Sequence, residues 1–121
     1  MGVFAALRTT RAFRRRHLHF LETAEDLDLV LEIGYHQERG ELLSMKQLQL
    51  LGVSSVPTLQ RRLRRLRQAG AVLIRRSEAD GRAVEVLLSP KVLRAYAKYG
   101  ELIRSLQLDG APPPAAAEEA A

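Results

Sequence analysis

The chain has 121 residues, the length of one compact domain with a short arm or tail. Its composition, 46% hydrophobic and 27% charged, is globular, and no apolar run is long enough to cross a membrane. The chain has no cysteine, which excludes disulfides, thiolate metal sites and thiol catalysis. The net charge of +5 favours a polyanionic partner, with nucleic acid ahead of an anionic membrane.

Charge of one sign is concentrated in separate segments. Residues 20–43 hold seven acidic side chains and one basic, whereas residues 55–77 hold seven arginines and no acid. Such segregation predicts charged faces on the folded domain. Residues 1–22 are basic and weakly periodic, and we predict a basic N-terminal arm or helix there. An organellar transit peptide is the less favoured interpretation, because serine is missing from this stretch.

Two helix starts can be identified from their capping residues. Thr23 followed by Asp26 has the spacing of a capping box, and so has Ser44 followed by Gln47. We therefore predict a helix from Thr23 that ends before Gly40, and a short helix from Ser44. The predicted apolar face of the longer helix comprises Leu27, Val30, Leu31, Gly34 and Tyr35.

A tight turn precedes the third predicted helix. Gly52 tolerates unusual backbone angles, Val53 is a small apolar plug, and the pair Ser54-Ser55 offers an N-cap. Pro57 then falls in the first turn of the helix, where its missing N–H costs nothing, and Gly70 is a natural C-cap.

The pattern after Gly70 changes from helical to alternating. Two alternating apolar runs, residues 72–75 and 84–88, flank a polar tip that contains glycine, and this predicts a β-hairpin. Ser89-Pro90 restarts a helix that should end near Leu106. We predict a domain over residues 23–107 and a disordered Pro/Ala tail over residues 108–121. The element order predicts a mostly helical α+β fold, a winged helix-turn-helix with a two-stranded wing.

The third helix has one apolar and one basic side. Leu59, Leu63 and Leu66 lie on one face and are predicted to enter the core. Arg62 and Arg67 lie on the flanks, where acids of the first predicted helix could pair with them. The opposite face carries Pro57, Thr58, Arg61, Arg64, Arg65 and Gln68. A helix of this kind fits the major groove of DNA, although a run of arginines can also be a solvated surface.

The residue types suggest separate roles in DNA contact. Arg61 is the best candidate for a bidentate contact to guanine and Arg65 the second best, whereas Arg64 and Arg67 suit phosphates. The arginines of the predicted hairpin could lie along the minor groove or flanking phosphates, although the tip of the hairpin could also be an ordinary polar turn. The predicted DNA-contacting residues are Ser55, Thr58, Gln60, Arg61, Arg64, Arg65, Gln68, Arg75, Arg76 and Arg82.

The last helix carries a candidate packing seam. The spacing of its large apolar residues is that of a coiled coil over two heptads, too short to stand alone. The seam consists of Val92, Tyr96, Tyr99, Ile103 and Leu106. It could pack on the N-terminal segment through Phe13, Leu18 and Leu21, or across a two-fold axis in a homodimer. A dimer would present two recognition helices about 34 Å apart.

Residues 43–92 resemble the winged-helix core of MarR-type bacterial transcription regulators, and the resemblance extends over about residues 24–95. The shared features are the turn at residues 51–54, the helix end at Leu63, Leu66 and Gly70, and the Asp80-x-Arg82 pair of the wing. The resemblance implies a dimer on a pseudo-palindromic operator. It also implies major-groove reading by the helix that holds Thr58, Arg61 and Arg65, and minor-groove insertion of Arg82.

Other chemistry has little support in the sequence. His17, His19 and His36 have no fourth ligand at a defined spacing, so we predict no metal site. No catalytic motif or phosphate-binding loop occurs, and we predict neither an enzyme nor a cofactor. The favoured function is that of a cytoplasmic transcription regulator that binds double-stranded DNA sequence-specifically and represses by occluding a promoter. We predict no membrane contact, and the sequence does not specify an effector. The alternatives are a protein-interaction module that docks an acidic partner and, less favoured for want of aromatic residues, an RNA-binding domain.

Overall fold

The structure is a computed structural model, and it describes residues 1–110. In chain order its elements are α1 (Val3–His17), α2 (Ala24–Glu38), β1 (Leu43–Ser44), α3 (Met45–Leu50), α4 (Val56–Gln68), β2 (Val72–Arg76), β3 (Val84–Leu88) and α5 (Pro90–Ser105). Over those 110 residues, no helix has the length and apolarity needed to cross a membrane. Residues 111–121, most of the predicted tail, lie outside the described residues, so that prediction stays a prediction.

The capping boxes predicted for α2 and α3 are both formed. The Thr23 Oγ1 atom accepts the Asp26 backbone N–H at 3.1 Å, and the Asp26 Oδ2 atom accepts the Thr23 N–H at 3.3 Å. Ser44 and Gln47 make the same reciprocal pair at 3.1 and 2.9 Å. Each pair satisfies backbone donors that have no partner within the helix, which fixes where α2 and α3 begin.

Glycines with left-handed backbone angles lie on either side of α4. Gly52 has a φ of 69° in the turn between α3 and α4, and Gly70 has a φ of 74° after the end of α4. Ser55 is the N-cap of α4, and Pro57 lies in its first turn. The predicted turn and helix are therefore confirmed, and α3 and α4 form the helix-turn-helix.

The β2–β3 hairpin, the wing, is part of a three-stranded antiparallel sheet in the order β1-β3-β2. Strands β2 and β3 pair from Val72 opposite Leu88 to Arg76 opposite Val84. The first strand was not predicted, because two residues are too few to show an alternating pattern. Leu43 of β1 lies opposite Val86, so the extra strand ties the α2–α3 connection to the wing. The α+β winged helix-turn-helix prediction is confirmed with this added strand.

The buried face of α2 differs from the prediction. Its buried residues are Asp26, Leu29, Val30 and Ile33, whereas Leu31 is 61% exposed and Tyr35 is 47% exposed. The helix has apolar residues on both sides, so periodicity alone does not decide which side faces β3. The predicted face was right for Val30 and for Leu27, which packs against the core, and wrong for Leu31 and Tyr35. Leu29 and Ile33 were not predicted, because Asp26, a carboxylate, is part of the core-facing side.

The N-terminal segment is a helix that packs on α5. The Phe13 ring lies 5.1 Å from the Tyr99 ring, and the Arg14 guanidinium donates to the Tyr99 hydroxyl at 3.2 Å. Packing of the α5 seam on its own N-terminal segment is thus observed. Of the predicted dimer seam, Val92 is fully buried in the domain core and is not available to a partner, whereas Ile103 is 53% exposed. Burial and the neighbouring Tyr99 raise the pKa of Tyr96 to about 12.

Candidate nucleic-acid interface

Helix α4 turns its arginine-bearing side away from the core. Leu59, Leu63 and Leu66 are buried, as predicted, and they anchor the helix to the domain. The outer side faces a groove between α4 and the start of α2. Its lining residues are Glu22, Thr23, Thr58, Arg61, Arg62, Arg64, Arg65 and Gln68. The groove therefore presents four guanidinium groups and one carboxylate.

Polar side chains in the first turn of α4 are linked to one another. The Ser55 hydroxyl donates to the Thr58 Oγ1 atom at 2.9 Å, and the Arg61 guanidinium donates to the same atom at 3.4 Å. Ser55 makes no side-chain capping bond to the backbone, so its hydroxyl serves this chain instead. These two hydrogen bonds hold Arg61 beside Thr58 at the exposed start of α4.

A buried carboxylate on α2 holds α4 in place. The Asp26 side chain is fully buried and accepts four hydrogen bonds: from Arg62 at 3.2 Å, from Arg65 at 2.5 Å, and from the backbone amides of Glu22 and Thr23 at 3.0 and 3.3 Å. Burial by itself would raise the pKa of Asp26, but hydrogen bonds from Arg65, Arg62 and the Glu22 amide outweigh it, so the pKa lies below its usual value of 3.8. Asp26 is therefore charged at neutral pH.

The two arginines on Asp26 have further partners on α2 and just before it. Arg62 donates to the Thr23 hydroxyl at 2.6 Å and lies 3.7 Å from the Glu25 carboxylate. Arg65 also lies 2.6 Å from the Glu22 carboxylate. The hydrogen bond to Asp26 is the main cause that raises the pKa of Arg65. Both guanidinium groups are thereby fixed between α2 and α4.

This pairing corrects the sequence analysis at one position. Arg62 pairs with the acids near the start of α2 as predicted, but its companion is Arg65 and not Arg67. Residues three apart on a helix lie on the same side, so Arg62 and Arg65 reach Asp26 together. The side chain of Arg65 is only 35% exposed. Within residues 1–110, Arg61 and Arg64 have no carboxylate partner, so they are the unneutralised guanidinium groups of the groove.

The wing arginines differ in how freely they extend. The Arg76 guanidinium donates to the Gly81 carbonyl at 3.0 Å and is folded onto the turn, and Arg75 lies opposite Glu85 in the sheet. Arg82 is exposed, and its backbone N–H donates to the Asp80 carboxylate at 3.0 Å. Gly81 has no positive φ, and the Asp80 carboxylate, by accepting the Arg82 N–H, closes the turn.

The structure brings part of the predicted contact set together. The predicted residues that line the groove are Thr58, Arg61, Arg64, Arg65 and Gln68, and Ser55 joins them through Thr58. Gln60 is exposed but does not line the groove, and the three wing arginines lie on a separate element. Asp26 was predicted only as one of the acids of the first helix that could pair with Arg62, and Glu22 was not predicted as part of the site. The available signal was spacing, since Asp26 precedes Leu29, Val30 and Ile33 by three, four and seven residues.

The three histidines do not lie close together. His36 lies within hydrogen-bonding distance of the Glu32 carbonyl at 2.9 Å, whereas His17 packs on Phe13 at 4.5 Å between ring centres. His19 lies near Phe20, with 6.0 Å between the ring centres. In the part of the chain that the structure describes, no group of three or more His, Asp or Glu side chains is placed to hold a metal ion.

Comparison with solved structures places this arrangement in a known fold. A mutant of MepR from S. aureus superposes with a TM-score of 0.59 at 14% identity, covering 84% of this chain and 72% of that one. CouR, a transcriptional repressor bound to a 23-mer DNA duplex, gives 0.55 at 18% identity, covering 84% and 68%. A mutant of MarR from E. coli complexed with operator DNA gives 0.54 at 19%, covering 84% and 70%.

The likeness is one of fold at these identities. No protein-family model and no curated protein sequence matches the chain. The chain has the winged helix-turn-helix fold of the MarR type, which confirms the fold implied by the resemblance of residues 43–92.

Proposed function

We propose that the protein binds double-stranded DNA and regulates transcription, with α4 in the major groove and the β2–β3 wing at the minor groove or on flanking phosphates. The observation that carries the proposal is the outward pair Arg61 and Arg64, unneutralised on a helix that Asp26 holds rigidly. Guanidinium groups in such an arrangement can bind guanine edges and phosphates in a fixed register. The DNA-bound structures of CouR and the MarR mutant, which share the fold, support the same partner.

The groove residues divide by role. Arg61, beside Thr58 at the start of α4, would contact a base edge, and Arg64, one turn further along, would contact a phosphate. Arg65 keeps two carboxylate contacts and serves mainly to position the helix. All slopes are counted per bound subunit: about six phosphate contacts would give a slope near −5 in a plot of log affinity against log salt concentration. Each good bidentate base contact adds roughly 1–3 kcal/mol of discrimination.

A homodimer is part of this proposal. The backbone N–H of Asp109 donates to the Met1 carbonyl at 2.8 Å, so the start of α1 and the chain beyond α5 meet at one end of the domain. The first turns of α1 and the chain around the end of α5 carry a group of exposed apolar side chains: Met1, Val3, Phe4, Leu7, Ile103 and Leu108. A cluster of this kind on a small domain marks a protein interface. A two-fold axis through it would present two α4 helices to a palindromic site.

The regulatory mode that we propose is repression by occupancy of a promoter, in the cytoplasm and without a cofactor or catalytic step. A protein that represses by covering promoter DNA needs only affinity for that DNA and a fixed position on it. The groove offers both, since its four guanidinium groups attract a polyanion and donate hydrogen bonds to it from fixed positions.

Salt-dependent binding to duplex DNA tests the proposed function. We expect a steep loss of affinity with rising salt, a slope near −5, and a less steep slope after Arg64→Ala. If the natural partner of the groove is instead an acidic protein, we expect little salt-sensitive affinity for duplex DNA. Competition between duplex DNA and structured RNA at equal salt separates the DNA-binding proposal from recognition of RNA.

A further inference from the structure

Helix α1 carries a second basic surface that the proposed contacts of α4 do not use. The side of α1 opposite to its packing contacts is exposed and forms a shallow trough with small side chains along its floor. The floor consists of Ala5, Thr9 and Ala12, and the trough is flanked by Arg8, Arg11, Arg15 and Arg16. We call these seven residues the α1 trough.

The four arginines of the trough are not neutralised by the domain. Within residues 1–110, none of them forms an ion pair with a carboxylate, and the first 21 residues contain no acid. Arg14, by contrast, faces α5 and donates to Tyr99. Residues 8–16 of a helix span about 12 Å, so four positive charges lie within that length of surface. Such a density of charge favours a polyanion with regularly spaced anionic groups.

The basic surface of α1 is continuous with the α4 groove. Arg11 and Arg15 also line a second groove, between α1 and the start of α2, together with His19 and Glu22. Glu22 lines the α4 groove as well. The two grooves therefore adjoin at Glu22, which is the one carboxylate lining either of them. An extended anionic molecule seated on α4 can continue past Glu22 onto α1.

We propose that the α1 trough binds the phosphate backbone of the same DNA duplex, beyond the segment that α4 reads. The proposal rests on the proposed function of α4 and extends it from recognition of a site to a wider footprint. Arg11 and Arg15 contribute most, because they line both the trough and the groove that leads to α4. Backbone contacts carry no base information, so they add affinity and salt dependence without changing the preferred sequence.

The position of the apolar residues favours DNA over an anionic membrane. A helix that lies on a membrane carries a bulky apolar face along its whole length. In α1 the exposed bulky side chains Val3, Phe4 and Leu7 are confined to the first turns, at the end where the proposed dimer interface lies. The trough itself has only alanine and threonine between its arginines, which gives it room for a phosphate chain and nothing to insert into lipid.

The test compares two double variants of the full chain that lose the same charge. Arg11→Gln/Arg15→Gln removes two trough arginines, and Arg94→Gln/Arg104→Gln removes two exposed arginines of α5 as the control. Affinity for a mixed-sequence DNA duplex is measured over a range of salt concentrations. We expect the trough variant to have a slope less steep than wild type by about two, and the control to stay within about half a unit. Combining the trough change with Arg64→Ala should reduce the slope further by about one.

The outcomes separate the two proposals. If wild type binds the duplex with a steep slope and the trough variant behaves like the control, the trough inference is overturned while the function of α4 stands. If wild type shows no salt-sensitive duplex binding, both are overturned. Loss of binding to phosphatidylserine vesicles by the trough variant, with duplex binding unchanged, would instead assign the trough to a membrane and contradict the inference.

Discussion

Asp26 on α2 and Arg65 on α4 are joined by a hydrogen-bonded ion pair of 2.5 Å, with the carboxylate fully buried and the guanidinium at the edge of the groove. Arg62 reaches the other oxygen of the same carboxylate at 3.2 Å. A buried charge that is paired and fully hydrogen-bonded gives a fixed geometry between the elements that carry it. The pair therefore fixes the angle at which α4 presents its outer face.

Removal of the Asp26 charge should destabilise the protein. Asp26→Asn leaves two guanidinium groups around a neutral amide. Breaking a buried ion pair costs about 3–5 kcal/mol of stability. We expect a loss of about 3 kcal/mol here, because Arg65 stays partly solvated. Denaturant unfolding at neutral pH measures the loss. Glu25→Gln is the control: its carboxylate lies 3.7 Å from Arg62 at the surface, and its loss should cost under about 1 kcal/mol. Equal losses in the two variants would contradict the support role of Asp26.

The same pair predicts a dependence of stability on pH. The folded-state pKa of Asp26 lies below its ordinary value of 3.8, so its ionisation stabilises the fold above the unfolded-state pKa. That contribution is lost as the pH falls through the folded-state pKa. The free energy of unfolding of wild type should therefore drop more than that of Asp26→Asn below about pH 4. Parallel curves for the two proteins would show that Asp26 does not titrate as stated.

Glu22 should act on DNA binding in the opposite sense to Asp26. Its exposed carboxylate lies 2.6 Å from Arg65 at the point where two basic grooves meet, so it competes with a phosphate for that guanidinium. Glu22→Gln should tighten duplex binding and make the salt slope steeper by about one, while unfolding changes by under about 1 kcal/mol. Glu101→Gln, an equal charge change on α5, should leave the slope unchanged. Weaker binding by Glu22→Gln would contradict the competition.

Two glycines should respond to alanine with opposite signs. Gly70 has a φ of 74° at the end of α4, a conformation that costs a side chain about 1 kcal/mol, so Gly70→Ala should destabilise the protein by that amount. Gly100 lies within α5 with open space around it, and Gly100→Ala should stabilise by about 0.8 kcal/mol. Thermal unfolding of both variants gives the comparison. A neutral Gly70→Ala would mean that the left-handed cap is not needed after α4.

Helix-capping residues and the helical spacing of apolar residues account for the elements that could be predicted from the sequence. Thr23, Ser44, Pro57 and the glycines act through the residues beside them, so the boundaries of α2, α3 and α4 follow from local chemistry. Contacts between segments that are distant in sequence could not be predicted in this way. Asp26 bonds to Arg65 across 39 residues, and nothing local distinguishes that arginine from its neighbours. The outer face of α4 was predictable because its period is helical and it has no acid.

The proposed dimer predicts a change in mass when its apolar patch is charged. Ile103→Glu puts a carboxylate among exposed apolar side chains at the end of α5, and burial of that charge in an interface would be costly. We expect sedimentation analysis to find wild type as a dimer and the variant as a monomer. Leu50→Glu, at a leucine that is 77% exposed on α3, should leave the mass unchanged. A monomeric wild type would remove the two-fold arrangement from the proposal.

Arg61 and Arg64 should differ in what they contribute to DNA binding. Arg61→Ala should weaken the preferred site more than other sequences, by roughly 1–3 kcal/mol at one base pair, because it removes a base contact. Arg64→Ala should weaken all sequences alike and make the salt slope less steep by about one. Titration of each variant with specific and mixed-sequence duplexes checks both statements. Wild-type behaviour of both variants on every duplex would contradict the assignment of this face to the groove.

Selection of binding sites from a pool of random duplexes tests most directly whether the outer face of α4 reads DNA. Wild type should enrich one palindromic sequence with half-sites about one helical turn apart, and Arg61→Ala should lose the preference at one position in each half-site. Enrichment of no sequence by wild type, or the same sequence with the same strength by Arg61→Ala, would contradict reading by α4.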